Sequence, residues 1–422
     1  MNILPIVRVV SNVLYKNQHL KQALQFEFKT LDQKDQASVQ AMTYEIIRYY
    51  LYYEILLNKL LKKPLIKKNF DIKNILIIAL VRLDSQQQPE YAVVNESVQS
   101  IKKIKKNWAS GFVNGVLREF IRNPPNEKQD RNILSYPQWL IKIFKNDWGD
   151  DYLKIIKNSN LQPPLTARVN NNKITTDEYL KKIKNQALPH SFSPSAIIFD
   201  KACSVEDIYG FNDGLISIQD VAAQLCLEFL DLNQGQKVLD SCAAPGGKTC
   251  HILESYPQIN LIANDIKKIG IAKIKDNLKR LDLKCNLTNY DVLQLKNEFE
   301  KNEFDRILFD APCSATGIIR RHPDIKLHRT AEDIENLMAI QQQMLKILWQ
   351  FLKPDGKLLY VTCSILKQEN DQQIEAFLNN NKDAEHLQLK LTGINNEVKY
   401  GLQVLPNNQQ MDGFYYALLQ KK

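Results

Sequence analysis

Two short segments carry side chains able to do covalent chemistry, Asp310-Ala311-Pro312-Cys313-Ser314 and Val361-Thr362-Cys363-Ser364-Ile365. In each, a cysteine stands before a serine and after a short apolar run, Arg306 to Phe309 in one case and Lys357 to Val361 in the other. A thiolate is a strong nucleophile near neutral pH and can also depart, so it suits reactions that need a temporary bond to an electron-poor carbon. The chain has seven cysteines, scattered and with no Cys-x-x-Cys pair, so neither a disulfide framework nor a metal site is expected. Most of the seven are expected to be small buried hydrophobes. One cysteine after an apolar run is unremarkable packing, but two in matching Cys-Ser contexts make Cys313 and Cys363 candidate reactive groups.

A third segment, Asp240-Ser241-Cys242-Ala243-Ala244-Pro245-Gly246-Gly247-Lys248-Thr249, follows the run Lys237-Val238-Leu239. Small residues and glycines let a turn close against a ligand ahead of a helix N-terminus, which points to a nucleotide-like ligand. A Walker loop would need glycine at position 242, where cysteine stands, and the G-x-G-x-x-G dinucleotide fingerprint is absent. Asp265 closes the next apolar run and Asp291 follows the one after it. Either aspartate alone would serve as a cap or turn residue. Together, after a Gly-rich loop, they suit the hydroxyls and base of a nucleoside.

These segments need a scaffold that brings them to one edge. From about residue 217, short apolar runs alternate with helical stretches such as Lys267 to Leu281 and Ala331 to Leu352. That alternation predicts a doubly wound α/β domain over residues 215–422, with ligands at the carboxyl ends of its strands. Residues 1–130 carry helical periodicity (Ile6, Val9, Val10 and Val13, then Ile46, Ile47, Tyr50 and Leu57) and predict an all-α domain. Pro124-Pro125 and the polar residues up to Arg131 read as a linker. Residues 131–214 mix the two patterns, with strands at Leu165 to Val169 and Ala196 to Phe199 and a helix from Thr176 to Lys184, and predict a small α+β module.

The 422 residues are too many for one ordinary core, and 44% apolar content excludes a disordered chain. The net charge is +9, and its placement is uneven. Residues 1–132 hold 21 Lys/Arg against 12 Asp/Glu, whereas residues 215–422 hold 25 against 26. A polyanion such as RNA would be drawn to the first third, where Lys102, Lys103, Lys105 and Lys106 cluster. The alternative is a set of solvated lysines on helix faces. Arg320, Arg321 and His322, close after Cys313, are candidate phosphate contacts. No run approaches the roughly 20 apolar residues that span a bilayer, and the N-terminus lacks the basic flank of a signal peptide. A soluble cytoplasmic protein with no membrane partner is expected.

The three segments resemble motifs of the RNA 5-methylcytosine methyltransferases, the NOL1/NOP2/Sun family. Tyr209-Gly210-Phe211 with Gln219-Asp220 is similar to that family's leading motif, and Asp412-Gly413-Phe414-Tyr415 to its closing one. Ile319-Arg320-Arg321-His322-Pro323-Asp324-Ile325-Lys326 resembles the Sun/RsmB branch, whose N-terminal domain is similar to the antitermination factor NusB. The resemblance implies a NusB-like helical domain, a small α+β module and a Rossmann-like class I methyltransferase domain. It implies S-adenosylmethionine as cofactor, held by Cys242, Ala243, Ala244, Pro245, Gly246, Gly247, Lys248, Asp265, Asp291 and Asp310. It further implies Cys363 as nucleophile, Cys313 as the group that assists product release, and Asp310 as a base-positioning residue. The implied substrate is a cytosine of 16S rRNA, free or in an early small-subunit particle, and a monomer is expected. Three other readings are the same reaction on transfer RNA, a NusB-like RNA-binding factor with a decayed site, and an amino-methylating enzyme. A decayed site would have lost a cysteine or loop glycine, and an amino-methylating enzyme would carry an Asn/Asp-Pro-Pro-Tyr type sequence where Asp310-Ala311-Pro312-Cys313 stands.

Overall fold

The computed structural model describes residues 2–124, 130–184, 186–394, 398–407 and 410–422; residues 125–129 of the expected linker lie outside them. Two compact units divide the chain, Met1–Leu161 with Ile319–Arg329, and Gln162–Ile318 with Thr330–Lys422.

The first unit is helical. Its middle is the helix Phe70–Asp84, where Ile75, Leu76, Ile77, Ile78, Ala79 and Leu80 are all buried. A helix apolar on every side has to be surrounded. Around it lie Leu4–Lys16, Gln33–Leu60, Glu90–Lys103 and Ser110–Arg122, each burying one apolar stripe. Pro89 stands at the N-cap of the helix Glu90–Lys103. The helices Gln138–Trp148 and Tyr152–Ser159 cluster with this unit. Long-range polar contacts hold that stretch there. The Arg131 guanidinium lies 3.6 Å from the Tyr49 ring centre, and Arg48 donates to the Leu161 carbonyl at 3.1 Å.

The segment Ile319–Arg329 is strapped to the same unit by buried polar groups. Arg48 donates to the Arg320 carbonyl at 3.1 Å. Lys326 donates to the Arg48 carbonyl at 2.7 Å and to Asn160 Oδ1 at 3.0 Å, and its ammonium lies 4.2 Å from the Tyr136 ring centre. Burial, reinforced by the nearby Arg48 charge, holds the Lys326 amine well below its ordinary range.

The second unit contains two sheets. The smaller is antiparallel, ordered β2-β3-β1-β4, from β1 (Thr166–Val169), β2 (Ala187–His190), β3 (Ser193–Phe199) and β4 (Ile216–Ile218). The larger is ordered β10-β12-β9-β8-β5-β6-β7, with β11 paired to β12. Its parallel strands are β5 (Lys237–Asp240), β6 (Asn260–Asn264), β7 (Asn286–Thr288), β8 (Phe304–Asp310) and β9 (Leu352–Thr362). The remaining strands, β10 (Ala384–Leu387), β11 (Leu402–Val404) and β12 (Phe414–Lys421), pair antiparallel. The four parallel runs read from sequence fall inside β5, β6, β8 and β9. Val238, Leu239, Ile307, Leu308, Leu358 and Leu359 are buried at 0% exposure, as both faces of a helix-covered sheet require. Buried Arg168 on β1 ties the smaller sheet to the helix Gly247–Ser255: its guanidinium donates twice to Glu254 at 2.9 Å and once to the Gly247 carbonyl at 3.0 Å.

Candidate active site

Strand order decides which loops meet. β5 lies between β6 and β8, and β8 lies between β5 and β9, all parallel. Their carboxyl ends therefore stand side by side, which puts the Gly-rich loop, Asp265, Asp310, Cys313 and Cys363 along one edge.

The Gly-rich loop leaves β5 at buried Asp240. Burial pushes that carboxyl up to about 7, although the Thr249 hydroxyl donates to it at 2.6 Å. The second oxygen, Oδ1, is buried with no hydrogen-bond partner among the described residues. The loop turns at Gly246, whose φ of +98° disfavours any side chain and whose added Cβ would sit 3.3 Å from Ile274 Cα. The helix Gly247–Ser255 starts there. Cys242 is half-buried, and burial together with the charges of Asp310, Asp240 and Asp265 pushes its thiol far up. Ala243 is buried, Ala244 and Gly247 are partly exposed, and Pro245 is exposed.

Asp265 turns its carboxylate toward this loop, accepting from the Ala244 N–H at 3.0 Å and the Lys267 N–H at 2.8 Å. Gly270 allows that approach, because a Cβ there would lie 2.8 Å from both Ala244 Cβ and Asp265 Oδ1. Asp291 caps a short helical turn by accepting from the Leu293 N–H at 2.9 Å. Asp310, the last residue of β8, accepts from Lys248 Nζ at 2.6 Å. Burial opposes the Lys248 charge, but Asp310, with Cys226 and Cys363, more than offsets it and holds the ammonium above its ordinary range.

The Cys313 and Cys363 sulfurs lie 3.5 Å apart. Two thiols at that distance do not both ionise, because the second negative charge would face the first. The Cys313 thiol is held well above its ordinary range by its hydrogen bond to Cys363, then by burial and by the charges of Cys363 and Glu369. Burial also pushes the thiols of Cys226, Cys250 and Cys285 up to about 12.

Sequence reasoning missed the residue that ties the two cysteine loops together. Glu369 is fully buried and accepts from the Ser314 N–H at 2.8 Å, the Ser314 hydroxyl at 2.5 Å and the Ser364 hydroxyl at 2.6 Å. Gln341 spans the same carboxylate at 3.1 Å and the Pro312 carbonyl at 2.9 Å. The serines after each cysteine, which read only as a repeated context, are the handles by which one carboxylate grips both loops. Gly317 completes the clasp, donating to the Cys363 carbonyl at 2.9 Å while its own carbonyl accepts from Gly413 at 2.9 Å. A Cβ on Gly317 would strike the Gly413 carbonyl oxygen at 2.1 Å.

The basic candidates fare differently. Arg320 is 3% exposed, and Arg321 and His322 are partly buried. All three lie in the strapped segment Ile319–Arg329 rather than in a freely displayed basic loop. Lys102, Lys103 and Lys105 are exposed, whereas Lys106 is half-buried and paired with Asp71 at 2.7 Å.

Residues 227–420 match the family described as 16S rRNA methyltransferase RsmB/F, residues 6–122 match the NusB family, and residues 136–206 match an RsmF/B-like ferredoxin-like domain. A protein of Coxiella burnetii is 40% identical over 92% of this chain and 93% of its own length. The ribosomal RNA small subunit methyltransferase B of Cronobacter sakazakii is 37% identical over 98% of this chain and 97% of its own. Among solved structures, a methyltransferase homolog protein from Pyrococcus horikoshii superposes with a TM-score of 0.60 at 25% identity, covering 72% of this chain and 98% of that one. NSun6 from Pyrococcus horikoshii, crystallised with SFG, gives a TM-score of 0.61 at 20% identity, covering 68% of this chain and 98% of its own, a likeness of fold. The chain belongs to the RsmB/F family of 16S rRNA methyltransferases. No described helix is long and apolar enough to cross a membrane.

If Glu369 holds the two loops, Glu369→Gln should lower the unfolding free energy by about 1–3 kcal/mol, the cost of leaving buried donors poorly matched. Urea unfolding of the full chain measures this. Stability equal to the parent chain would mean that the carboxylate is not what holds them.

Proposed function

We propose that this protein methylates carbon 5 of a cytosine in 16S ribosomal RNA, with S-adenosylmethionine as methyl donor and a covalent Cys363–cytosine adduct. The observation that carries the reading is the thiol pair, 3.5 Å apart at the ends of adjacent parallel strands and held by one carboxylate. Membership of the RsmB/F family and the Sun-type fold support the same reading.

The acidic strand ends and the Gly-rich turn fit the cofactor. Its hydroxyls and amino group are donors, and Asp240, with an unpartnered buried oxygen, Asp265 and Asp291 offer acceptors along one edge. Residues Cys242 to Lys248 would enclose it, with Gly246 supplying the turn. When bound, the cofactor supplies an electrophilic methyl on a sulfonium.

The protein's own groups supply the rest. Carbon 5 of cytosine is a weak nucleophile. Addition of the Cys363 thiolate to carbon 6 moves electron density into the ring, makes carbon 5 enamine-like and raises its reactivity. Asp310, braced by Lys248, positions the base beside the thiol pair. After carbon 5 gains its methyl, a base must take its proton; the electrons of that C–H bond re-form the carbon 5–carbon 6 double bond, and the carbon 6–sulfur pair leaves with Cys363 as its thiolate. Cys313 adjoins Cys363 at 3.5 Å, so it is placed to assist that last stage. The cytosine must leave its stack to reach these groups, which favours an accessible base. The exposed lysines Lys102, Lys103 and Lys105 would attract RNA backbone to the helical unit.

The two thiols should fail differently. Cys363→Ala should bind RNA, form no covalent complex and be inactive. Cys313→Ala should accumulate a protein–RNA adduct that survives denaturing gel electrophoresis. Equal trapping by both variants, or turnover by Cys363→Ala, would contradict the assignment. The substrate is tested separately by bisulfite sequencing of 16S rRNA from cells with and without the gene. One 5-methylcytosine signal should vanish, and an unchanged pattern would refute the 16S assignment.

A further inference from the structure

We propose that His19, Asp324 and His328 form a site for one divalent transition-metal ion, which fastens the segment Ile319–Arg329 to the helical unit. No short ligand spacing announces it, because His19 and the other two residues lie far apart in sequence. Folding brings one atom of each within 4.8 Å of the others. His19 Nδ1 lies 3.6 Å and His328 Nδ1 3.9 Å from Asp324 Oδ2.

Three features of the cluster call for a cation. Asp324 is 2% exposed, and its ion-pair partners among the described residues are these two imidazoles, with no lysine or arginine. A buried carboxylate without a counter-charge is costly. Its Oδ1 is buried with no hydrogen-bond partner among the described residues, so the carboxylate keeps an unused acceptor besides Oδ2. Finally, His328 Nε2 lies 2.8 Å from the Val13 carbonyl oxygen. A carbonyl only accepts, so Nε2 carries the proton. In the neutral ring Nδ1 therefore presents its lone pair toward Asp324. An imidazole that donates its outer N–H to a backbone carbonyl is the usual arrangement behind a metal ligand. The Leu20 N–H, donating to Asp324 Oδ2 at 3.1 Å, braces the carboxylate in the same way.

The spacing suits an ion of zinc size. Ligand bonds of about 2.0–2.1 Å in tetrahedral geometry set ligand atoms about 3.3 Å apart. The observed 3.6 and 3.9 Å need to close by about half an ångström, and the widest separation in the cluster, up to 4.8 Å, by about 1.5 Å. The His19 side chain is 71% exposed and can swing to do so, leaving a fourth position for water. Two imidazoles and one carboxylate favour zinc, cobalt or nickel over magnesium or calcium.

The test uses the full chain carrying Cys313→Ser and Cys363→Ser, which removes the other group able to take a soft metal. After chelator treatment and dialysis, Co²⁺ and Zn²⁺ are titrated separately. One Co²⁺ per chain should bind with visible ligand-field absorption and without sulfur charge-transfer bands. Zn²⁺ should displace it, and either ion should raise the melting temperature. His19→Ala, at an exposed position that leaves the fold intact, and His328→Ala should each weaken binding by more than the roughly 10–100-fold that a lost outer-shell partner costs. No saturable binding of either ion, or binding unchanged in His19→Ala, would overturn the proposal. In that case a proton on an imidazole, and not a metal, is the counter-charge.

Discussion

The parallel pairing of β8 with β9 is the constraint on which the candidate site depends. Asp310 sits opposite Val361, and the Ala311 N–H reaches the Val361 carbonyl at 2.8 Å. Each strand then releases a short loop with a cysteine near its start. Parallel strands end on the same edge, so the two sulfurs converge; an antiparallel pairing would send them to opposite edges. Glu369 converts that convergence into a fixed geometry, because one buried carboxylate takes donors from Ser314 and Ser364 at once.

The same edge allows one of the two thiols, and not both, to ionise. They lie close enough that one negative charge excludes a second, and the Glu369 charge adds to the burden on Cys313. On the proposed reading, one thiol bonds to the base while its neighbour keeps its proton, without any difference in residue type. Lys248 and Asp310 make a second, charged pair on the neighbouring strand end, between the Gly-rich loop and the cysteines. Arg168 carries the constraint outward. By holding the Gly247 carbonyl and Glu254, it fixes the start of the loop helix against the smaller sheet.

Much of this was legible because it is locally encoded. The runs that became β5, β6, β8 and β9 are uninterrupted apolar stretches closed by acidic or small residues, and strand-end chemistry follows from that punctuation alone. The Gly-rich turn was legible for the same reason. Glu369 was not: six residues beyond Cys363, it looks like any surface glutamate, and only the fold buries it. Arg168 read simply as part of a strand. The surroundings of Arg320, Arg321 and His322 were not legible from their charge. A run of basic residues suggests a phosphate grip, yet Arg320 is buried and Lys326 is spent on the Arg48 carbonyl and Asn160. Composition cannot distinguish a displayed cation from one consumed by packing, and the partners here lie 166 and 278 residues away.

The central claim is that Cys363, and not Cys313, bonds to the cytosine. The most direct measurement uses 16S rRNA transcribed with 5-fluorocytidine, in which the fluorine cannot leave as the proton does, so the adduct persists after methyl transfer. With S-adenosylmethionine and the unaltered protein, the trapped complex is digested and the modified peptide identified by mass spectrometry. The account predicts the nucleotide on the peptide containing Cys363. A nucleotide on the Cys313 peptide would contradict it.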